Sequence, residues 1–221
     1  MLLKTINLSK QYRRRDTVVD ALKNVSLEIA EGSFVTITGA SGSGKTTLLL
    51  ALSGLIRTTS GEIIIMDKHL EKASDSELSN FRKENAGFIL QSFSLIPYLS
   101  AIQNVMVPLA LINHSNSKQI EIAKSVMELV GLGDRMNHLP RELSAGQQQR
   151  VAIARAVVNK PKIIFADEPT GNLDPELSTE ILNFMKDINK TMGITLMMVT
   201  HSPIAANFGN KKIKLENGRI N

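Results

Sequence analysis

The sequence contains no cysteine. That excludes a disulfide scaffold, a thiolate zinc site and a cysteine nucleophile together, and it fits a reducing compartment. Long apolar runs are missing too. The densest, Leu48–Ile56, is nine residues long and holds Ser53 and Gly54, whereas about 20 are needed to cross a bilayer. The opening MLLKTINLSKQYRRR places its charges after a short mixed segment with no continuous apolar stretch, so no secretory signal is read there. Any contact with a membrane is therefore expected through a docked partner, not through lipid.

Aromatic residues are scarce, at 4%, and the charge surplus is modest: 26 Lys+Arg against 21 Asp+Glu, a net +5. The one dense basic run, Arg13-Arg14-Arg15, reads as a solvated hairpin turn in preference to a nucleic-acid patch. No second basic run and no interleaved aromatics support it, so no nucleic-acid partner is expected. There is no internal repeat, low-complexity tract or Pro/Ser-rich linker, and 221 residues suit one domain that buries a sizeable core without staples.

Hydrophobic patterning gives an alternating order of elements. Leu2–Leu8, Val25–Ile29, Phe34–Thr38 and Glu62–Met66 read as strands, bounded by Gly32 and Gly61. A helix starts near Gly44, and Gly87–Leu90 is a further strand. Ala123, Val126, Met127 and Val130 recur at helical spacing, ended by Gly131 and Gly133. Ser144 reads as the N-cap of a helix to about Val158. Asp174-Pro175 opens a helix to about Lys190, with Leu177, Ile181, Met185 and Ile188 on one face. Ile163–Ala166 and Ile194–Val199 are continuous apolar runs, as expected of strands buried on both faces of a parallel sheet. The class is α/β.

Two segments carry chemistry by their own composition. Gly39-Ala40-Ser41-Gly42-Ser43-Gly44-Lys45-Thr46, followed by Thr47, matches G-x-x-x-x-G-K-[ST]. Its glycines let successive N–H groups turn inward onto phosphate oxygens at a positive helix end. Lys45 is placed to reach the β- and γ-phosphates, and the Thr46 hydroxyl to ligate Mg²⁺. The second segment, Ile163–Glu168, is an apolar strand ending in two carboxylates. Asp167 suits the magnesium shell, and Glu168 suits orienting and deprotonating an attacking water.

Together with these, Leu143-Ser144-Ala145-Gly146-Gln147 resembles the LSGGQ signature of ABC (ATP-binding cassette) transporter subunits, a resemblance that covers essentially the whole chain. It implies a P-loop NTPase core of RecA-like type with a small antiparallel β subdomain and an inserted α-helical subdomain. Residues 1–90 and 159–221 would form the core and 91–158 the helical, signature-bearing part. It implies ATP and Mg²⁺ as cofactors, and two copies pairing so that Ser144, Gly146 and Gln147 of one close over the γ-phosphate held by the other. Gln91 matches the glutamine that touches the metal or water, His201 the histidine that contacts the γ-phosphate, and Asp174 the loop that crosses the dimer interface. Tyr12 matches the aromatic residue that stacks on adenine. Each also has a plainer role, as helix cap (Ser144, Asp174), strand-end polar residue (Gln91), structural histidine (His201) or surface tyrosine (Tyr12). Ala145 departs from the signature, placing a methyl where the pattern has glycine. His69, His114 and His138 lack spaced partners and read as surface residues.

The resemblance further implies a transmembrane permease as partner, received in a groove near Phe93–Leu99, and a place on the cytoplasmic face of the membrane. Asp167–Asp174 is similar to the branch serving lipoprotein-release, macrolide- or peptide-export and cell-division-type complexes, which leans toward export or membrane extraction. A non-transport ABC ATPase that acts as mechanical or signalling partner of a membrane protein is the alternative. Other classes fit less well. Asn159-Lys160-Pro161-Lys162 lacks the Asp of a guanine-reading motif, and a small-molecule kinase would not carry the Ser144–Gln147 signature. Only 99 residues separate Lys45 from Ser144, too few for an inserted coiled coil. A translation-type factor would usually hold two cassettes, where one is found. No C-terminal regulatory domain is expected after Lys211–Leu215.

Overall fold

A computed structural model describes residues 1–14, 17–112 and 114–221. The chain runs β1 (Leu3–Arg14), β2 (Thr17–Ile29), β3 (Phe34–Thr38), α1 (Lys45–Leu52), β4 (Ser60–Ile65), β5 (Lys68–His69), α2 (Asp75–Asn85), β6 (Ala86–Leu90), α3 (Ala101–Met106), α4 (Asn116–Leu129), α5 (Ala145–Val157), β7 (Ile163–Asp167), α6 (Pro175–Met192), β8 (Thr195–Val199), α7 (Pro203–Ala206), β9 (Lys211–Glu216) and β10 (Arg219–Ile220). One sheet has six strands in the order β10-β9-β3-β8-β7-β6 and is parallel except at β10. The other has four, β2-β1-β4-β5, all antiparallel. The α/β class and the small antiparallel sheet agree with the sequence reading.

The central strands explain why their sequences are apolar without alternation. Successive side chains point to opposite faces, and both faces are covered. Val35, Ile37, Ile163, Phe165, Met197 and Val199 face a cluster that includes Leu48 and Leu52 of α1. Phe34, Ile164, Ala166, Leu196 and Met198 face another with Ile181, Leu182 and Met185 of α6. A third cluster joins α3, α4 and α5. Helix α5 belongs to two of them, turning Val151 and Ala154 to its helical neighbours and Ile153, Ala156 and Val157 to the sheet side. Gly87 permits that approach: a Cβ there would lie 2.3 Å from the Ala156 carbonyl oxygen.

The caps read from sequence hold. Ser144 accepts from the Gln147 amide and Asp174 from that of Leu177, and α6 ends on Gly193 at φ 65°. Two features differ from expectation. The β1–β2 pair continues as a long exposed ribbon whose charged outer half carries no hydrophobic alternation to announce it. Arg13 lies on that ribbon, whereas Arg15, and with it the turn read there, lies outside the described residues. Helix α2 falls where no element is expected, although it opens with a capping box, Ser74/Glu77; α3, inside the segment 91–158 expected to be helical, opens with another, Ser100/Gln103.

His69 is half-buried, not simply a surface residue. Its Nδ1 lies 2.8 Å from Glu71 Oε1 and 3.7 Å from Glu62 Oε2, and Glu71 also accepts from the Ile63 amide at 3.0 Å. Burial opposes ionisation of Glu71, but the Ile63 and Glu71 amides and His69 outweigh it and hold its pKa below the ordinary carboxylate value. His138 is likewise half-buried beside Arg135, while His114 is exposed as read. No helix among the described residues is long and apolar enough to cross a membrane.

Candidate functional site

The parallel register brings four strand ends to one edge of the large sheet. Thr38 of β3 leads into Gly39, Val199 of β8 into Thr200 and His201, Asp167 of β7 into Glu168, and Leu90 of β6 into Gln91. In open α/β sheets ligands bind outside the carboxyl ends of such strands.

The loop after β3 is wedged in place by distant backbone. A Cβ on Gly39 (φ 154°) would sit 2.1 Å from the Leu215 carbonyl oxygen, and one on Gly44 (φ 102°) 2.3 Å from that of Ala21. Gly218 donates its amide to the Ser43 carbonyl at 3.0 Å. Lys45 is buried and folds back onto the loop, donating to the carbonyls of Gly39 and Ala40, both at 2.9 Å. Ser43 is buried as well, and its Oγ has no partner among the described residues. A buried hydroxyl without a partner, beside a lysine cation and the start of α1, suits an anionic oxygen. Ser41, Gly42 and Thr46 are exposed around this cradle, with Thr47 half-buried behind them.

Across from the loop, Thr46 Oγ1 lies 3.4 Å from Asp167 Oδ1. Two hard oxygen donors at that spacing suit magnesium. Burial raises the Asp167 pKa above its ordinary value of 3.8, the Glu168 charge adds to the rise, and Thr46 and Lys45 oppose it. Glu168 adopts φ 47°, a left-handed conformation rare outside glycine. Its amide donates to the Val199 carbonyl, its own carbonyl accepts from Gly171, and Oε2 pairs with His201 Nδ1 at 2.5 Å. A hollow of about 200 Å³ opens between these loops, lined by Glu168, Thr170, Gly171, Leu173, His201 and Ser202. Gln91 is exposed at the far side. Asn172 donates to its carbonyl at 2.9 Å, and its side-chain amide lies near Gly171.

The signature turn and Asp174 form a second group, with no hydrogen bond to the first among the described residues, and Tyr12 lies apart from both. Ser144 and Ala145 are exposed at the start of α5, and Ser144 pairs with Gln147 in a capping box. Gly146 is buried, where a Cβ would lie 2.7 Å from Leu177 Cδ1. That contact ties the signature turn to the helix capped by Asp174. Tyr12 stands exposed on the β1–β2 ribbon, with Lys10 Nζ 5.0 Å from its ring centre.

One surface escaped the sequence reading. A cleft of about 600 Å³ is lined by Leu55, Phe88, Leu90, Val107, Leu111 and Arg155, among others. Of the expected groove segment Phe93–Leu99, only Ser94 lines it. The lining comes from α2, β6, α5 and the stretches after α1 and α3, so no contiguous pattern announces it.

The family model described as ABC transporter matches residues 22–171. An ABC transporter ATP-binding protein of Methanocaldococcus jannaschii is 46% identical over 219 residues, covering 99% of this chain and 97% of that protein. The lipoprotein-releasing system ATP-binding protein LolD of Geobacter metallireducens is 40% identical, with coverage of 99% and 97%. Among solved structures, a dimeric post-hydrolysis state of the ATP-binding cassette MJ0796, bound to ADP and Pi, superposes with a TM-score of 0.90 at 40% identity, covering 99% of this chain and 96% of that one.

Proposed function

The chain belongs to the ABC transporter family, and from that premise we propose how its residues divide the binding and hydrolysis of ATP. It is an ATP-binding ATPase of the kind that drives a membrane permease. The branch read from Asp167–Asp174 is that of the lipoprotein-releasing ATP-binding protein to which it is similar.

In this reading the phosphates of ATP lie in the 39–46 loop. Ser43 Oγ and the first amides of α1 meet their oxygens, and Lys45 exchanges its two carbonyl partners for the β- and γ-phosphates. Thr46 and Asp167, with Gln91, would hold Mg²⁺, which offsets charge on those phosphates. Glu168 takes the proton of the attacking water, and His201 both orients Glu168 and meets the γ-phosphate. Tyr12 stacks on the base. Residues 1–90 and 159–221 form the nucleotide-binding core and 91–158 the helical part, a division supported by the separate apolar cluster of α3–α5.

The signature turn points to a second copy. Ser144, Gly146 and Gln147 share no hydrogen bond with the phosphate loop of their own chain, yet Ser144 caps an exposed helix start that suits an anion. Two chains related by a two-fold axis bring each turn to the other's loop, with Asp174 at the seam. The dimeric form of the solved cassette supports this. The permease docks in the 600 Å³ cleft, on the cytoplasmic face of the membrane, and the direction of movement is export or extraction.

The convergence of Ser43, Thr46–Asp167 and Glu168–His201 on one sheet edge carries the reading. Measuring hydrolysis against protein concentration tests it. Activity per chain should rise with concentration, and Ser144→Arg should abolish it. A rate per chain that is independent of concentration and indifferent to Ser144→Arg would sink the paired site.

A further inference from the structure

Arg155 sits near the C-terminal end of α5, three turns from the signature, and plays no part in the site described above. Its side chain reaches the segment that follows Gln91. Nη1 donates to the Ser94 carbonyl at 2.6 Å and Nη2 to the Phe93 carbonyl at 2.8 Å. Those two residues have φ of 49° and 59° respectively. Consecutive left-handed residues with side chains are strained and persist only where the surroundings enforce them. A planar guanidinium fork that grips two successive carbonyls provides that enforcement.

The arginine has no other evident purpose. It pairs with no carboxylate among the described residues, and burial alone lowers its pKa. A half-buried cation without a counter-charge is best placed where carbonyl dipoles compensate it, and here the two compensating groups are those of the strained loop. The flanks of the loop are pinned as well. Asn172 holds the Gln91 carbonyl, and the fully buried Asn104 accepts from the Ile96 amide at 2.7 Å and donates to the Ile96, Leu99 and Ser100 carbonyls. Arg155 supplies the middle hold, and it does so from the helix whose other end carries Ser144.

We propose that Arg155 is a positioning residue that fixes the Gln91 segment to α5, so that Gln91 and the Ser144 turn move as one body. This rests on the catalytic reading of Gln91 given above. Arg155 also lines the apolar cleft, with Leu90 and Ser94, so an occupant of the cleft bears on the residue that sets the loop.

The test uses Arg155→Ala, Arg155→Lys, Gln91→Ala and the Arg155→Ala/Gln91→Ala pair in the full chain. Amide hydrogen exchange across residues 92–96 is measured without nucleotide, and steady-state hydrolysis with Mg-ATP. Arg155→Ala should speed exchange there and lower kcat about 10- to 100-fold, the scale of a small misplacement near reacting groups. KM for ATP should stay within about twofold, because Arg155 contacts no part of the phosphate loop. Lys, which keeps the charge but not the fork, should restore part of both. In the Gln91→Ala background the arginine should have no further effect on kcat. Unchanged exchange at 92–96, a loss expressed in KM, or fully additive losses would each overturn the proposal. If Gln91→Ala itself leaves kcat untouched, the reading of Gln91 fails, while the exchange result still decides whether Arg155 holds the segment. Should Arg155→Ala not fold, Arg155→Lys carries the same comparison.

Discussion

Replacing Glu168 by Gln separates rate from stability more sharply than any other change in this chain. The substitution keeps shape and volume, leaves the left-handed position at φ 47° occupied by a side chain of the same length, and removes the carboxylate proposed above as proton acceptor. A positioned general base contributes about 10²- to 10⁴-fold, which at about 1.36 kcal/mol per factor of ten is about 2.7–5.4 kcal/mol of transition-state stabilisation. The folded state loses far less. The pair with His201 is short, at 2.5 Å, but the His201 side chain is 65% exposed, and such pairs contribute about 0–1 kcal/mol. For a chain of this size that is a melting shift of at most about 4 °C. Phosphate release at saturating Mg-ATP, thermal melting and sizing with ATP should therefore show hydrolysis reduced at least about 100-fold, an almost unmoved melting point, and an ATP-bound pair that persists. A rate within tenfold of the parent refutes the role of Glu168. A variant that stays monomeric at saturating ATP refutes the clamp.

Three further outcomes follow from the same geometry. Because burial raises the Asp167 pKa above 3.8, the folded chain binds a proton more tightly there than the unfolded one. Stability from this group therefore falls as pH rises through that window and stays reduced above it. Asp167→Asn should melt higher than the parent at pH 7 without nucleotide, lose the advantage as pH drops below the ordinary carboxylate range, and lose Mg-dependent hydrolysis; a lower melting point at pH 7 contradicts the burial argument. Gly146→Ala pushes a methyl to 2.7 Å from Leu177 Cδ1. Leu177 is a half-buried, movable side chain, so the cost should be near the low end for overpacking, about 1 kcal/mol, and should vanish in a Leu177→Ala background; equal costs in both backgrounds would locate the strain elsewhere. Ala145→Gly restores the pattern glycine at an exposed position. It should raise kcat/KM for ATP by less than about tenfold while costing less than about 1 kcal/mol of helix stability, and a fall in kcat/KM would show that the methyl does not obstruct the partner's phosphate.

What was legible in the sequence was whatever a short stretch of backbone builds by itself. The strand ending in Asp167-Glu168 and the caps at Ser144 and Asp174 need only their own residues in order, and the 39–46 loop is announced by its own residues although the distant carbonyls of Ala21 and Leu215 hold its shape. What stayed hidden depends on groups far apart along the chain. Arg155 and Ser94 are separated by 61 positions, and nothing in either neighbourhood announces the other. The apolar cleft draws one or two residues from each of several segments, too few to form a period. His69 lacked spaced partners along the chain but finds Glu62 and Glu71 through the β4–β5 pairing. The β1–β2 ribbon was cut short because a strand exposed on both faces carries no apolar alternation, the signal that strand recognition depends on.

The tightest wall of the phosphate cradle is the Leu215 carbonyl, and the Gly218 amide anchors Ser43. Leu215 lies 176 positions after Gly39, and Gly218 lies 175 after Ser43. During synthesis the 39–46 motif therefore emerges well before the surfaces that force it into shape. A nascent chain carries the code for the nucleotide pocket before it owns the pocket, and disturbing β9 or the turn after it should blunt nucleotide capture as surely as editing the motif itself.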